Sequence, residues 1–443
     1  MTDGRTVAYD LLRAVDTRDA YANLLLPKLV AKLDARDRAF AAELGYGTLR
    51  ALGTLDHVLG LCSSRPVAEM DPPVRDVLRL GAYQLLRTRV PTHAAVSTSV
   101  DLARNVAGPG AAKFVNAVLR RVAERDGDVG APDYDADPAG HLAIATAHPR
   151  WIVEAFRDAL DGDWAETRTA LEADDARPEV HLAARPGRIA RDGLLASALA
   201  AGLDAEPGPH SPYAVRLRGG DPGDVPAVRD GSAGVQDEGS QLAALALARL
   251  LGEGRHDVLD LCAGPGGKTA LLTGLVNGRL VANELHEHRA RLVRDNLRGS
   301  RNTLTVTGDG TNGAWRPGTF DGVLLDAPCT GLGALRRRPE ARWRRTPADV
   351  APLATLQRSL LAAAVDAVKP GGVVLYVVCS PHPAETREIV DDVPGTEPVP
   401  LGVALPGIAD GPSVQLWPHR HGTDAMFLTG LRRIVIESSL HSA

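Results

Sequence analysis

Short apolar segments alternate with helical or loop segments through the second half of the chain, and this alternation restricts the fold more than any other feature. The predicted strands are residues 257–261, 279–284, 303–307, 321–326 and 372–379. Strands separated by crossover segments in this way form a parallel, doubly wound sheet with helices on both faces. Two further apolar segments, near residues 414–417 and 426–429, are predicted to complete the sheet. We therefore predict an α/β domain over residues 233–437.

The first part of the chain has a different texture. Ala, Leu and Val recur every three or four residues, for example over residues 37–44 and 74–86, which indicates amphipathic helices. The pairs Pro72-Pro73 and Pro91-Thr92 predict helix starts or breaks. We therefore predict an all-α domain over residues 1–125.

Two stretches separate these domains. Residues 126–147 begin with a sequence rich in Asp, Gly and Pro, which is typical of a linker. Residues 148–232 contain predicted helices near 151–171 and 194–201 and a short predicted strand at 180–184. This mixed content predicts a small α+β subdomain. A chain of 443 residues is long enough for such a multi-domain arrangement.

Charge, hydropathy and cysteine content exclude several classes of protein. No apolar run reaches the roughly 18 residues of a membrane-spanning helix, and the N-terminal sequence lacks the features of a secretory signal. The cysteines, Cys62, Cys262, Cys329 and Cys379, form no CxxC pair, so we expect neither a metal site nor disulfides. These features predict a cytoplasmic protein with free thiols and no membrane partner. The net charge of −5 does not by itself indicate a nucleic-acid binder.

The strongest local motif joins the first predicted strand to a helix, where residues 258–269 read Val-Leu-Asp-Leu-Cys-Ala-Gly-Pro-Gly-Gly-Lys-Thr. A nucleotide-phosphate loop would need its first glycine at Cys262, and a dinucleotide fingerprint starting at Gly264 would need its last at Thr269. The remaining interpretation is a loop whose glycines make room for the amino-acid end of S-adenosylmethionine. A tight turn without a ligand is the simpler alternative, but the density of small residues favours the cofactor.

Acidic residues at later strand ends support a cofactor site. Glu284 ends the second predicted strand, 24 residues after Asp260, and a carboxylate at an offset of about 20 residues often meets ribose hydroxyls. Asp309 follows the third predicted strand and is placed to reach an adenine ring. Each residue alone is more often a helix cap or loop residue. Together at one sheet edge, they predict a cofactor crevice.

Two cysteines lie at the ends of the fourth and fifth predicted strands. Cys329 follows Asp326 in the sequence Asp-Ala-Pro-Cys, and Cys379 ends the fifth strand. A thiolate that adds to carbon 6 of cytosine makes carbon 5 nucleophilic, and Asp326 is placed to meet the exocyclic amine and ring nitrogen. Free cysteines are more often small buried apolar residues, but two at neighbouring strand ends favour chemistry. The spacing leaves open which cysteine attacks.

Three segments in combination resemble a known family. Cys-Ala-Gly-Pro-Gly-Gly-Lys-Thr from Cys262, Asp-Ala-Pro-Cys-Thr-Gly from Asp326 and Tyr-Val-Val-Cys-Ser from Tyr376 are similar to motifs of the Sun family of RNA (cytosine-5) methyltransferases. Within it, the chain most resembles the bacterial small-subunit (16S) ribosomal RNA branch, whose N-terminal domain is similar to the antitermination factor NusB. The segments that look like that domain are residues 36–50, 91–96 and 113–120. The resemblance covers nearly the whole chain.

The resemblance implies a reaction and a set of site residues. It implies a NusB-like helical domain and a Rossmann-like methyltransferase domain that takes S-adenosylmethionine as cofactor. Cys379 would be the attacking nucleophile, Cys329 would assist release of the RNA, and Asp326 would be the third catalytic residue. The cofactor-binding residues would be Cys262, Ala263, Gly264, Pro265, Gly266, Gly267, Lys268, Glu284, Asp309 and Asp326.

Three positions depart from the usual pattern of the family. Val377-Val378 precede the nucleophile where Ser-Thr is more usual, and Glu284 stands where Asp is commoner. Residues 423–427 replace a usual Asp-Gly-Phe-Phe. None of these changes removes a reactive group, although the first can alter packing around the thiol.

An arginine-rich run follows the fourth predicted strand. Residues 336–345 hold six arginines and a tryptophan beside the predicted site, which favours phosphate contacts and base stacking over a solvated loop. The expected partner is therefore RNA, most of all small-subunit ribosomal RNA, and the target cytosine must leave any stack. We expect the protein to be a monomer.

Other functions compete with this interpretation. Transfer RNA or large-subunit RNA could be the substrate with the same chemistry. An RNA-binding adaptor with an inactive transferase domain is a different class, and the intact Cys329, Cys379 and Asp326 argue against it. DNA methylation is disfavoured because its nucleophile usually lies in the Pro-Cys motif, and here a second cysteine ends the fifth strand.

Overall fold

The computed structural model describes residues 3–18, 20–402 and 410–435. The helices are α1 (Gly4–Arg18), α2 (Ala22–Leu29), α3 (Ala35–Cys62), α4 (Pro72–Arg87), α5 (Thr92–Glu124), α6 (Pro138–Ala145), α7 (Arg150–Ala159), α8 (Trp164–Asp175), α9 (Arg191–Ala200), α10 (Pro226–Arg229), α11 (Glu238–Leu251), α12 (Gly267–Leu275), α13 (Glu287–Asn296), α14 (Ala341–Arg344), α15 (Val350–Ala367), α16 (Arg387–Val390) and α17 (Pro418–His421). The strands are β1 (Val180–Ala184), β2 (Ala205–Pro207), β3 (Ala214–Leu217), β4 (Ala233–Val235), β5 (Arg255–Asp260), β6 (Asn277–Glu284), β7 (Thr303–Thr307), β8 (Phe320–Asp326), β9 (Val368–Val378), β10 (Thr396–Pro398), β11 (Ser413–Gln415) and β12 (Phe427–Arg433).

These elements form two compact units. The first, here the helical unit, comprises Met1–Arg177 and Leu335–Arg345, and the second, the α/β unit, comprises Pro178–Ala334 and Thr346–Ala443. Residues 1–2 and 436–437, at the ends of the predicted first and last domains, lie outside the described residues.

The helical unit begins its helices where the sequence predicts. Helix α4 begins at Pro72, and α5 begins at Thr92 directly after Pro91. Proline suits the first turn because the N–H that it lacks would have no intrahelical partner there. Helix α5 is kinked at Gly108, where φ is 87°, so its second half forms a separate amphipathic segment. Fully buried residues of α1, α3, α4 and α5 form the core, among them Leu11, Leu44, Leu55, Leu78 and Leu119.

The helical unit extends beyond residue 125. Helix α6 lies within the stretch predicted as a linker, and α7 and α8 lie within the predicted α+β subdomain. The chain passes from the helical unit to the α/β unit between Arg177 and Pro178. The predicted division into a helical domain, a linker, a subdomain and a catalytic domain stays a prediction.

The arginine-rich segment is built into the helical unit, which corrects part of its predicted RNA-binding role. Arg342 is 0% exposed and Arg336 is 7% exposed. The Arg342 guanidinium donates to Asp175 Oδ1 at 3.1 Å and to the Asp174 carbonyl at 2.8 Å. Neither arginine is accessible to an RNA phosphate. The charge of Arg342 instead anchors the segment among the helices.

Two other residues of the run pack against the helices, and one arginine is exposed. The Trp343 indole N–H donates to the Leu49 carbonyl at 3.0 Å, and Arg344 donates to the Val15 carbonyl at 3.0 Å. Trp343 is therefore committed to packing rather than to the predicted base stacking. Arg338 is exposed.

The α/β unit starts with a small antiparallel sheet in the order β2-β3-β1-β4. Strand β1 occupies the predicted residues. Strands β2, β3 and β4 were not predicted, because each has three or four residues and is too short to show an alternating pattern. Leu194 and Ala198 of α9 pack with Leu182 and Val215 of this sheet.

The large sheet confirms the predicted doubly wound α/β fold. Its order is β10-β12-β9-β8-β5-β6-β7, with β11 paired to β12, and the neighbours among β5 to β9 are all parallel. The last two predicted strands, β11 and β12, also belong to this sheet. They differ from the central strands in direction, because β12 pairs antiparallel with β9. A parallel addition usually uses a crossover helix. In its described part, the chain between β9 and β12 forms the short strands β10 and β11, both antiparallel to β12, and no α-helix longer than the four residues of α16 and α17.

The central strands are buried on both faces, as their continuous apolar sequences predict. Along β9, Leu375 and Val377 pack on one face with α11 and α12, whereas Val374 and Tyr376 pack on the other face with α15. The reactive parts of the unit are therefore left to the loops at the strand ends. Across the described ranges, no helix has both the length and the apolar character needed to cross a membrane.

Candidate active site

The carboxyl ends of the parallel strands bring the predicted site residues to one edge of the large sheet. Asp260 of β5 pairs with β8, and Asp326 of β8 pairs with β9, so these three strands end at similar levels. Glu284 of β6 pairs with β7 on the other side of β5. Open α/β sheets bind ligands at this edge.

The loop between β5 and α12 needs glycine at two positions. A side-chain carbon at Gly264 would lie 2.1 Å from Glu284 Oε2, and the Gly264 N–H donates to that oxygen at 3.1 Å. Gly266 has a φ of 105°, a left-handed conformation that favours glycine, and α12 begins directly after it. Arg289 donates to the Gly264 carbonyl at 2.7 Å. The loop backbone is therefore held close to a strand-end carboxylate.

Asp260 belongs to this site, although the sequence prediction used it only as a reference point. It is 1% exposed, and its Oδ2 accepts a hydrogen bond from the Thr269 hydroxyl at 2.6 Å. Its Oδ1 is buried without a hydrogen-bond partner. Burial, reinforced by the charge of Asp326, raises the pKa of Asp260 to about 7. The sequence feature that could have identified Asp260 is an acidic residue inside an apolar strand. Its buried Oδ1 can accept a hydrogen bond from a ligand.

Lys268 and Asp326 form an ion pair that links the glycine-rich loop to the end of β8. Lys268 Nζ lies 2.6 Å from Asp326 Oδ2. Burial opposes the charge of Lys268, but the charge of Asp326, its hydrogen bond and the charge of Cys379 outweigh burial and raise the pKa of Lys268. Lys268 therefore stays protonated beside Asp326 and near Cys379.

The two strand-end cysteines meet in the structure. Cys329 Sγ and Cys379 Sγ lie 3.5 Å apart, and both residues are half-buried. The hydrogen bond with Cys379, then burial and the charge of Cys379, raise the pKa of Cys329 well above its ordinary value. Cys329 therefore keeps its proton and can donate it towards Cys379.

Cys262 differs from this pair. Burial, followed by the charges of Asp260 and Asp326, raises the pKa of Cys262 far above that of a free thiol. It packs against the apolar cluster on the α15 face of the sheet. A protonated, packed thiol fits the predicted role of lining the loop and does not suit nucleophilic attack.

Glu284 and Asp309 lie apart from the two cysteines. Glu284 is 3% exposed and accepts hydrogen bonds from the N–H groups of Gly264 and His286, both at 3.1 Å. Asp309 is exposed and accepts from the Thr311 N–H at 2.9 Å, and this bond lowers the pKa of Asp309. Its predicted contact with adenine stays a prediction.

The groups at this edge fit S-adenosylmethionine. The amino group and ribose hydroxyls of that molecule are hydrogen-bond donors, and the edge offers Asp260 Oδ1 and the carboxylates of Glu284 and Asp326 as acceptors. Gly264 leaves space where a larger side chain would collide with Glu284. The cofactor roles of these residues stay predictions.

Comparison with known proteins gives consistent matches for both parts of the chain. Residues 247–432 match the family described as 16S rRNA methyltransferase RsmB/F, and residues 2–124 match the NusB family. A Mycobacterium tuberculosis protein described as a methyltransferase is 55% identical over 97% of this chain and 96% of its own length. Ribosomal RNA small subunit methyltransferase B from Salmonella paratyphi B is 34% identical over 96% of this chain and 98% of its own length.

Solved structures share the fold. The crystal structure of the protein PH0851 matches with a TM-score of 0.81 and 23% identity, over 96% of this chain and 97% of that one. A methyltransferase homologue from Pyrococcus horikoshii matches with a TM-score of 0.56 and 24% identity, over 67% of this chain and 99% of its own. At these identities the likeness concerns the fold.

Proposed function

The chain belongs to the 16S rRNA methyltransferase RsmB/F family, and from this premise we propose that it transfers a methyl group from S-adenosylmethionine to carbon 5 of a cytosine in small-subunit ribosomal RNA. Transfer would proceed through a covalent bond between Cys379 and the base. The observation that carries the proposal is the pair of thiols, Cys329 and Cys379, 3.5 Å apart at the carboxyl edge of the sheet. Carbon 5 of cytosine is a weak nucleophile, and thiol addition to carbon 6 is the chemistry that can activate it.

The cofactor would lie against the glycine-rich loop. When bound, S-adenosylmethionine supplies an electrophilic methyl group. The loop residues from Cys262 to Lys268 would hold its amino-acid end, and Glu284 and Asp309 its ribose and adenine. NSun6 from Pyrococcus horikoshii, which shares the fold with a TM-score of 0.57, was solved with SFG, an analogue of S-adenosylmethionine. That complex supports the same cofactor here.

Cys379 would open the reaction by adding to carbon 6 of the cytosine. The Sγ–C6 bond would form as the double bond between carbons 5 and 6 opens, and electron density would move towards carbon 5. Carbon 5 would take the methyl group that the cofactor supplies, with S-adenosylhomocysteine as the leaving product. Asp326 would face the exocyclic amine and ring nitrogen, and Lys268, 2.6 Å from its Oδ2, would fix the orientation of the carboxylate. The target base must leave its stack to reach this edge.

Cys329 would close the reaction. The hydrogen bond with Cys379 comes first among the causes that raise the pKa of Cys329, and the charge of Cys379 is another. Both causes end once the Cys379 sulfur is bonded to carbon 6, so the pKa of Cys329 falls and its proton can leave to solvent. The resulting thiolate takes the proton from carbon 5, the Sγ–C6 bond breaks, and 5-methylcytosine and the Cys379 thiolate separate.

The proposal that the substrate is ribosomal RNA is supported by similarity to known proteins. The Salmonella relative is named for the small ribosomal subunit and aligns over 98% of its own length, and the NusB match covers residues 2–124. These matches favour small-subunit RNA over transfer RNA. The cytoplasmic location and the monomeric state stay predictions.

A methyl-transfer assay with product analysis tests the proposal. Unmethylated small-subunit RNA is incubated with labelled S-adenosylmethionine and the protein, then digested to nucleosides. We expect 5-methylcytidine from the wild type and none from Cys379→Ala. Label in any other nucleoside would overturn the proposed carbon 5 specificity, and transfer to transfer RNA alone would overturn the proposed substrate.

A further inference from the structure

A buried carboxylate lies behind the two cysteines. Glu385 is 0% exposed and sits in the short turn that follows Cys379. Its Oε1 accepts hydrogen bonds from the Thr330 N–H at 2.8 Å and from Gln357 Nε2 at 3.1 Å. Its Oε2 accepts from the Ser380 hydroxyl at 2.6 Å and from the Thr330 hydroxyl. One side chain therefore collects four donors.

Three of these four donors belong to the residues that directly follow the thiols. Thr330 comes after Cys329, and Ser380 comes after Cys379. The two hydroxyl oxygens also lie 3.2 Å from each other. The Glu385 carboxylate therefore ties together the two loops that carry the reactive sulfurs.

The surrounding backbone strengthens this clamp. The Gly333 N–H donates to the Cys379 carbonyl at 2.9 Å. The Tyr376 hydroxyl donates to the Glu385 carbonyl at 2.8 Å, and Gln357 Nε2 also donates to the Pro328 carbonyl at 2.9 Å. Movement of either cysteine loop would break several buried hydrogen bonds at once, each of which is costly to leave unmade.

The clamp also carries charge. All four donors to Glu385 are uncharged N–H and O–H groups. Behind the hydrogen bond with Cys379, burial and the charge of Cys379, the charge of Glu385 contributes to the raised pKa of Cys329. Glu385 therefore helps to keep the proton on Cys329 before the base binds.

We propose that Glu385 is a positioning residue for methyl transfer, which sets the separation of the two thiols and holds its carboxylate behind Cys329. The expected effect of Glu385 on methyl transfer rests on the proposed function. The clamp itself is a property of the free protein and can be measured without RNA.

Two substitutions separate the hydrogen bonds of Glu385 from its charge. Glu385→Ala removes the hydrogen bonds and the charge together. Glu385→Gln keeps the shape, because its oxygen can still accept from Thr330 and Gln357 while its amide donates to the two hydroxyls, which can turn and accept. The matched control is Glu388→Ala, an exposed glutamate three residues further along the chain.

The first readout uses the free protein and an azo oxidant that accepts two electrons and two protons from a pair of thiols. Peptide mapping then follows the Cys329–Cys379 disulfide. We expect Glu385→Ala to form this disulfide at least about tenfold more slowly than the wild type, because a loop shift of about 1 Å severely lowers the rate of a positioned reaction. Glu385→Gln, which keeps the geometry, should not fall more than about twofold below the wild type, and Glu388→Ala should stay within about twofold of it.

The second readout is steady-state methyl transfer. We expect kcat to fall about 100-fold in Glu385→Ala, with KM for RNA and cofactor within about twofold, since binding groups are untouched. In Glu385→Gln we expect a smaller fall in kcat. The basic limb of its pH profile should move to lower pH, because Cys329 loses its proton more easily without the charge of Glu385. Loss of packing alone would not move this limb.

The outcomes of the two readouts are distinct. Failure of the wild type to methylate RNA would overturn the proposed function and leave the disulfide test intact. Wild-type disulfide formation and wild-type kcat in Glu385→Ala would overturn the positioning role. If Glu385→Ala does not fold, the pH profile of Glu385→Gln decides, and an unmoved profile overturns the role of its charge.

Discussion

Each compact unit buries a charged side chain completely, and the two units use that charge differently. In the helical unit, Arg342 pairs with Asp175 and with backbone carbonyls that come from distant parts of the chain. In the α/β unit, Glu385 holds the residues next to two half-buried thiols. Buried charge therefore marks places where the chain must be held still. The half-buried thiols at the strand ends distinguish the candidate active site from the architectural contacts of Arg342.

The largest effect should come from removing the proposed nucleophile, Cys379. Cys379→Ser should lower kcat for methyl transfer by about 10⁴-fold or more, because an alcohol cannot replace the thiolate. The thermal midpoint should change little, since the two side chains have similar shapes. Single-turnover methyl transfer and a thermal melt measure the two quantities. Activity within tenfold of the wild type would contradict the assignment of Cys379 and remove the contrast between the units.

Arg342→Ala should produce the opposite pattern, a large loss of stability without direct loss of a reactive group. Removing one partner of a buried ion pair costs about 3–5 kcal/mol, because the remaining charges are left without compensation. We expect this loss in the unfolding free energy from urea unfolding followed by circular dichroism. The matched control is Arg338→Ala, an exposed arginine of the same segment. Equal stability of the two variants would show that Arg342 does not anchor the segment.

The helical unit should also lose stability in mild acid. His148 is fully buried between Thr146 and Asp174. Burial, and then the charge of Arg342, lower the pKa of His148 below its ordinary value of 6.5. Below that pH the unfolded chain binds a proton that the folded chain does not. The unfolding free energy should therefore fall as pH drops below about 6.5, by up to about 1.4 kcal/mol per pH unit.

The comparison that isolates His148 uses His148→Gln, which does not titrate. Urea unfolding at about pH 7.5 and about pH 5.5 should show a smaller acid loss in this variant than in the wild type. Identical acid losses in the two proteins would mean that His148 does not cause the effect.

The smallest effect concerns the exposed part of the arginine-rich segment. Arg338→Ala should raise KM for RNA by about threefold, leave kcat unchanged and reduce the salt dependence of binding by about one phosphate contact. Binding measured at several salt concentrations gives this slope. An unchanged slope would remove Arg338 from the RNA-binding surface and leave the segment with a purely architectural role.

The sequence predicted the parallel strands and the thiol pair well, for a physical reason. Strands buried on both faces need continuous apolar runs, and residues at the ends of neighbouring parallel strands must lie close together. Cys329 and Cys379 are 50 residues apart in the chain and 3.5 Å apart at their sulfurs. Their positions at the ends of two predicted parallel strands therefore sufficed to place them at the same edge of the sheet.

Other features depend on partners that local sequence does not reveal. The sequence of the arginine-rich run is compatible with either an exposed or a buried segment. Arg342 is buried because it contacts Asp174 and Asp175, more than 160 residues earlier in the chain. Glu385 stands in a polar stretch that looks like a surface turn, and only its tertiary contacts with Thr330 and Ser380 show its position behind the thiols. The direction of β12 likewise follows from its tertiary pairing with β9, which the apolar sequence of β12 does not specify.

The central claim, that Cys379 bonds to the target base, is tested most directly with small-subunit RNA that contains 5-fluorocytidine. After methyl transfer, carbon 5 of that base carries fluorine and a methyl group, so no proton can be removed and the Sγ–C6 bond persists. We predict a covalent RNA–protein complex that forms only with S-adenosylmethionine and maps by peptide mass to Cys379. A complex mapped to Cys329, or methylation of ordinary RNA without any trapped complex, would contradict the account.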